Sequence, residues 1–166
     1  MDNQSSNPFR ILWIEDQLLA LVAGVKELQD LLKQRLSRSV EIIGAEWVDK
    51  AERELANLAN NPPDLILLDV MLPRNEECFK QKPTLVDMNA GFIIWHRLRK
   101  QNMWGEKMAC VPIVVVTVLS RPQFRPMMEA DKKLKWLDKP VGPSTVADEI
   151  VKLLNSNGVE HEDNIS

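Results

Sequence analysis

Four short runs of the chain are apolar at every position: Ile11–Ile14, Leu65–Leu68, Ile113–Val116 and the weaker pair Trp136-Leu137. A strand with one wet face alternates apolar and polar residues, so runs without alternation suit strands buried on both sides of a parallel sheet. A fifth candidate strand, Val40–Ala45, lies between the first two. The segments between the runs carry helical spacing instead. Leu18, Leu21, Val25, Leu28, Leu32 and Leu36 recur every three or four residues, the stripe of a helix packed on one side. A second helix is expected over Val48–Ala59, stopped by Pro62-Pro63, and a third over Gly91–Lys100. Pro122 and Pro126 delay the next, expected only from Met127 to Lys133. Thr145 followed by Asp148 resembles a capping box, with Val146, Ile150, Leu153 and Leu154 as the buried stripe behind it. Strands that alternate with helices require crossover connections. The expected fold is α/β, a doubly wound five-stranded parallel sheet with helices on both faces.

A chain of 166 residues fits one domain, expected over residues 9–155 between polar tails at 1–8 and 156–166. A net charge of −3 supplies no basic face for nucleic acid. Cys78 and Cys110 are too few for a disulfide framework or a zinc site and read as free thiols in a reducing compartment. The opening MDNQSSNPFR lacks the apolar stretch of a signal peptide, and no run of about 18 apolar residues offers a membrane span. The expected location is the cytoplasm, with neither membrane nor direct nucleic-acid contact.

What ends each apolar run is more informative. Glu15-Asp16 follow the first, Asp69 the second, Thr117 the third and Asp138-Lys139-Pro140 the last. Open parallel sheets bind ligands outside the carboxyl ends of their strands, which would gather acids, a hydroxyl and a lysine at one shallow site. Carboxylates this close repel one another, and a hard divalent cation such as Mg²⁺ resolves the conflict. One carboxylate is then left as a nucleophile able to form an acyl phosphate. Phosphoryl transfer depends mainly on positioning and charge neutralisation, for which Mg²⁺, Lys139 and the Thr117 hydroxyl suffice. Each residue alone has a plainer explanation: Asp as a helix cap or turn former, Thr as a strand former, Lys before Pro as an exposed turn. It is their joint occurrence at four strand ends that favours a site.

The segments ILWIED, PDLILLDVMLP, PIVVVT and WLDKP, in this order, resemble the receiver domain of response regulators in two-component signalling, of CheY-like type, over about Phe9 to Leu154. The resemblance implies a flavodoxin-like strand order 2-1-3-4-5 and phosphorylation on Asp69. It implies Mg²⁺ bound by Asp16, Asp69 and the backbone carbonyl of Met71, with Glu15 acting mainly through water. Thr117 would swing toward the phosphate as the switch hydroxyl, and Lys139 would pair with it. Trp136 stands where the family usually places a Tyr or Phe that changes rotamer; the larger indole makes a core-filling role an equal reading. The implied donor is a phosphohistidine of a sensor histidine kinase or histidine phosphotransfer protein. The output is contact with a downstream protein, without enzymatic turnover.

Several features depart from that pattern. Pro73 and Gly91 enclose 17 residues, 74–90, where the family usually needs three. A lid or partner-recognition element is one expectation for this segment and a tolerated surface insertion the other. Lys132-Lys133, with Arg121, Arg125 and Lys135, forms a basic stretch for which attraction of an acidic partner is one expectation and plain solvated surface the slightly favoured other. Met71 and Leu119 are apolar at positions that influence acyl-phosphate hydrolysis in the family, which implies a long-lived phosphorylated state. A flavin carrier of the same fold is disfavoured because Glu15-Asp16 would repel its phosphate. An Asp-nucleophile phosphatase would usually carry a second Asp at position 71, which is Met. The remaining alternative is a receiver-like protein-binding module independent of phosphorylation. His96 and His161 are isolated, and His96 is expected on a helix surface.

Overall fold

The computed structural model describes residues 7–17, 22–76, 90–119 and 123–158. Leu18, Leu21, Cys78, Arg121, Pro122, His161, nearly all of both polar tails and residues 77–89 of the long segment lie outside the described residues.

The elements run β1 (Phe9–Ile14), α1 (Val22–Leu36), β2 (Val40–Ala45), α2 (Val48–Asn57), β3 (Leu65–Leu68), α3 (Ala90–Arg99), α4 (Glu106–Ala109), β4 (Ile113–Thr117), α5 (Arg125–Glu129), β5 (Leu134–Asp138) and α6 (Pro143–Gly158). All five expected strands form, in one parallel sheet of order β2-β1-β3-β4-β5. Side chains of successive strand residues point to opposite faces, so a run that is apolar throughout feeds two cores at once. Ile11, Leu65, Leu67 and Val114 pack with Leu28 and Leu32 of α1 and Val146 and Ile150 of α6. Leu12, Ile14, Ile66, Leu68 and Val115 pack on the other side with Leu55 of α2, Ile94 and Leu98 of α3, and Met128 of α5. Helices therefore cover both faces, and the strand ends remain the exposed route to the sheet.

Three helices differ from expectation. α6 opens at Pro143, two residues before Thr145. Proline is preorganised for the first helical position, and Thr145 lies within the first turn instead of capping it. Asp148 turns outward to Arg35 of α1 at 3.0 Å. The helix after β4 spans Arg125–Glu129 rather than Met127–Lys133. Pro126 falls in its first turn, where a missing N–H is harmless, and the Lys133 carbonyl already accepts the Ile113 N–H as the chain enters β5. α4 has only four residues after Gly105 (φ 87°), too short to leave a periodic signal. His96 lies on α3, half-buried, its ring 6.1 Å from that of Phe92. Cys110 is a free, exposed thiol. No described helix is long and apolar enough to cross a membrane.

Candidate functional site

Parallel register brings the carboxyl ends of β1, β3, β4 and β5 to one edge: Ile14 lies beside Leu68, Leu68 beside Val115, and Thr117 beside Asp138. The residues that follow keep their backbone in the ladder. The Glu15 N–H donates to the Ala45 carbonyl (3.0 Å), the Asp69 N–H to Ile14 (2.9 Å) and the Lys139 N–H to Thr117 (2.8 Å). Each functional side chain is thus held by a strand terminus and not by a free loop.

The side chains converge. Lys139 Nζ donates to Glu15 Oε2 at 2.6 Å and to Asp69 Oδ2 at 2.8 Å. The Met71 N–H donates to Asp69 Oδ1 at 2.8 Å, and the Gln17 N–H to Glu15 Oε1 at 3.3 Å. The Thr117 hydroxyl lies close enough to the Asp69 carboxylate to favour its charged form, while the Leu119 N–H approaches Thr117 Oγ1 at 3.4 Å. Glu15, Asp69 and Thr117 are buried, at 2%, 4% and 0% exposure. They are the buried polar residues among those described, in a core that is otherwise apolar. Glu15, Asp16 and Asp69 each offer a carboxylate oxygen within 4.8 Å of the others.

Burial is the largest influence on the two inner acids and raises both pKa values above the usual carboxylate range. Lys139 opposes this at Asp69, but neighbouring Glu15 adds to it; at Glu15 Lys139 opposes it again. For Lys139 burial alone would lower the ammonium, yet Asp69 and Glu15 together hold it above its ordinary value. A single ammonium thus leaves the acids incompletely neutralised. A cluster of oxygen donors short of positive charge fits a hard divalent cation such as Mg²⁺. The structure thereby brings together Glu15, Asp16, Asp69, Thr117 and Lys139, with Met71 two residues beyond Asp69.

Trp136 lies in the core on the α2–α3 side at 7% exposure. Its Nε1 donates to Asp138 Oδ1 at 3.0 Å, and the Arg125 guanidinium sits over its ring, 4.9 Å from the centroid. Arg125 also bonds Glu129 (2.9 Å) and Asp138 (3.1 Å), and Lys135 pairs with Glu149 (3.0 Å). Two cations of the basic stretch are therefore engaged within the chain. Sequence reasoning missed this Arg125–Asp138–Trp136 cluster because its members are bland residues brought together by neighbouring elements. It placed Gly91 at the start of the third helix but missed its contact with the site. That residue is apparent only as a poor helix former at a helix start, whereas in the fold it abuts the Asp69 backbone.

No family model matches the sequence, and no curated protein resembles it closely enough to match. Solved structures do. A CheY-like response-regulator receiver domain protein from Methanospirillum hungatei superposes with a TM-score of 0.60 at 18% identity, over 93% of this chain and 99% of that one. The receiver domain of a sensor histidine kinase from Pseudomonas aeruginosa, with a magnesium ion coordinated in its active-site cleft, gives 0.61 at 17% identity, over 90% and 99%. The signal receiver domain of a LuxO repressor protein from Vibrio parahaemolyticus gives 0.61 at 14%, over 96% and 100%. The chain has the fold of CheY-like receiver domains, across nearly its whole length.

Proposed function

We propose that this chain is a phosphoacceptor response-regulator receiver domain in a two-component phosphorelay, phosphorylated on Asp69. The observation that carries the reading is the Asp69 carboxylate. It is nearly buried at the carboxyl edge of a parallel sheet, bonded to Lys139, and within 4.8 Å of the Glu15 and Asp16 oxygens.

Each residue has a task in the transfer. An Asp69 oxygen attacks the phosphorus of a phosphohistidine whose other ring nitrogen is already protonated; the P–N bond breaks and the neutral imidazole departs with the bonding pair. The Met71 N–H on Oδ1 and Lys139 on Oδ2 fix the carboxylate plane before the donor arrives. The Lys139 ammonium then follows the charge onto the phosphoryl oxygens, and the Thr117 hydroxyl turns to donate to one of them. Glu15, Asp16, Asp69 and the Met71 carbonyl would hold Mg²⁺, which when bound neutralises the phosphoryl oxygens. Thr117 is the first switch residue. Trp136 is the second, and to change rotamer it would have to leave the contacts with Arg125 and Asp138 that hold it here.

The donor in this reading is a sensor histidine kinase or a histidine phosphotransfer protein, in the cytoplasm, and the output is contact with another protein without turnover. The receiver unit spans residues 9–155. A phosphorylation-independent module is disfavoured on physical grounds. It would keep two desolvated carboxylates and a third beside them at a standing cost to stability, with no function to offset it.

The test is intact mass after incubation with acetyl phosphate or phosphoramidate and Mg²⁺. Wild type gains one phosphoryl group only with metal, and Asp69→Ala gains none. A folded wild type that neither gains mass nor binds Mg²⁺ would replace this reading with the constitutive module.

A further inference from the structure

We propose that Gly91 is a positioning residue for Asp69: its missing side chain lets α3 seat directly on the backbone that carries the phosphoacceptor. The proposal rests on the receiver reading above. A Cβ at Gly91 would overlap the Asp69 carbonyl oxygen outright, and would stand 2.7 Å from Val70 Cα and 3.1 Å from the Asp69 carbonyl carbon. All three are backbone atoms, so no rotamer change relieves the clash. Gly91 does not have a positive φ, unlike Gly105. What the position demands is space, not the conformational freedom for which glycine is often required.

Neither side of the contact can withdraw. Val70, against which Gly91 sits, and Ile94, one turn further along α3, are fully buried, and the Gly91 N–H donates to the Val70 carbonyl at 3.2 Å. Interiors packed this densely transmit a displacement instead of absorbing it. Asp69 is tied through its N–H to Ile14 and through its carboxylate to the Met71 N–H. A shift of its backbone therefore carries the carboxylate and the Met71 carbonyl with it. Glu15 and Asp16 follow β1 and Lys139 follows β5, so a shift at the end of β3 alters their distances to Asp69. A methyl group at position 91 thus displaces one member of the site against the rest.

The experiment compares wild type, Gly91→Ala and Gly24→Ala, the last at a glycine whose Cβ would meet nothing within 4 Å. Mg²⁺ affinity and the rate of phosphoryl adduct formation at saturating Mg²⁺ are measured on folded protein, beside thermal unfolding. Gly91→Ala is expected to bind Mg²⁺ about tenfold more weakly or worse, the scale seen when groups supporting a metal site are lost. Its adduct should also form more slowly at saturating metal, and Gly24→Ala should match wild type in both. A purely structural glycine would lower the unfolding midpoint and leave both readouts of the folded protein unchanged, which would overturn the proposal. Should Gly91→Ala not fold, amide exchange of the wild type decides. Coupling is reciprocal, so if the Gly91 contact favours metal binding, saturating Mg²⁺ must slow exchange of the Gly91 amide. Unchanged exchange overturns the proposal. An inert wild type overturns the receiver reading and this inference together, whereas an active wild type matched by Gly91→Ala overturns the inference alone.

Discussion

Asp69 is held in a compromise that only its neighbours make tolerable. Burial raises its pKa, Lys139 and Thr117 oppose that, and Glu15 adds to it. Asp16 contributes a third carboxylate within 4.8 Å while remaining half-buried. Like charges at such range destabilise a metal-free fold and are retained where a cation will use them. Asp16→Asn removes one charge while keeping the shape. The metal-free protein should gain about 0.5–1 kcal/mol in urea unfolding, and Mg²⁺ affinity should fall about tenfold or more. A variant less stable than wild type with Mg²⁺ affinity intact would take Asp16 out of the metal set.

Among the elements, α3 is fixed at both ends. Its first turn abuts Asp69 through Gly91, and its last turn ends in Arg99. Arg99 reaches Asp131 Oδ2 and the carbonyls of Ala109 and Val111, each at 2.6 Å. Trp95 Nε1 donates to the same Asp131 oxygen at 3.3 Å. The carbonyls at the end of α4 have no helical partner of their own, and the guanidinium satisfies them. With side chains only 9% and 14% exposed, Arg99 and Asp131 are shielded enough that losing one strands the other. Arg99→Leu should destabilise the protein by about 3 kcal/mol, read as a lower urea midpoint with an unchanged slope. A loss below about 1 kcal/mol would reduce this network to the rank of a surface ion pair.

For the whole molecule, the raised carboxyls set an unusual dependence of stability on pH. Glu15 and Asp69 both have folded pKa values above their ordinary values of 4.5 and 3.8. Such groups bind more protons folded than unfolded. Their contribution to stability is full below the ordinary value and is lost as the pH rises through the folded one. Lys139, also raised, contributes stability that persists below 10.5 and is lost only above that value. Mg²⁺ replaces the protons that the carboxyls lose. The rise in unfolding temperature on adding Mg²⁺ should therefore be small near pH 4.5 and grow toward neutrality. An increment that stays flat across this range, or shrinks, would mean that Mg²⁺ does not bind at these carboxyls.

The apolar runs marked four of the five strands, because a run without alternation suits a sheet covered on both faces. Val40–Ala45, which holds Glu41, was legible only as a fifth candidate between the first two. The runs also determined which residues would meet. Glu15, Asp16, Asp69, Thr117 and Lys139 each end a strand or lie within two residues of its end, and parallel register carries these strand ends to one edge. Short helices were less legible: α4 and α5 are four and five residues long, less than two turns of periodicity. At Thr145 a local capping pattern was overridden by a proline already shaped for the helix start. Only the tertiary structure decided that Arg125 would cover Trp136 and that position 91 would have no room for a methyl group. Where a strand lies follows from the pattern within one segment, whereas the strand order was expected only from the family resemblance. A clamp between α5 and β5, or a clash between α3 and β3, depends on how two segments approach each other, and no single segment carries that distance.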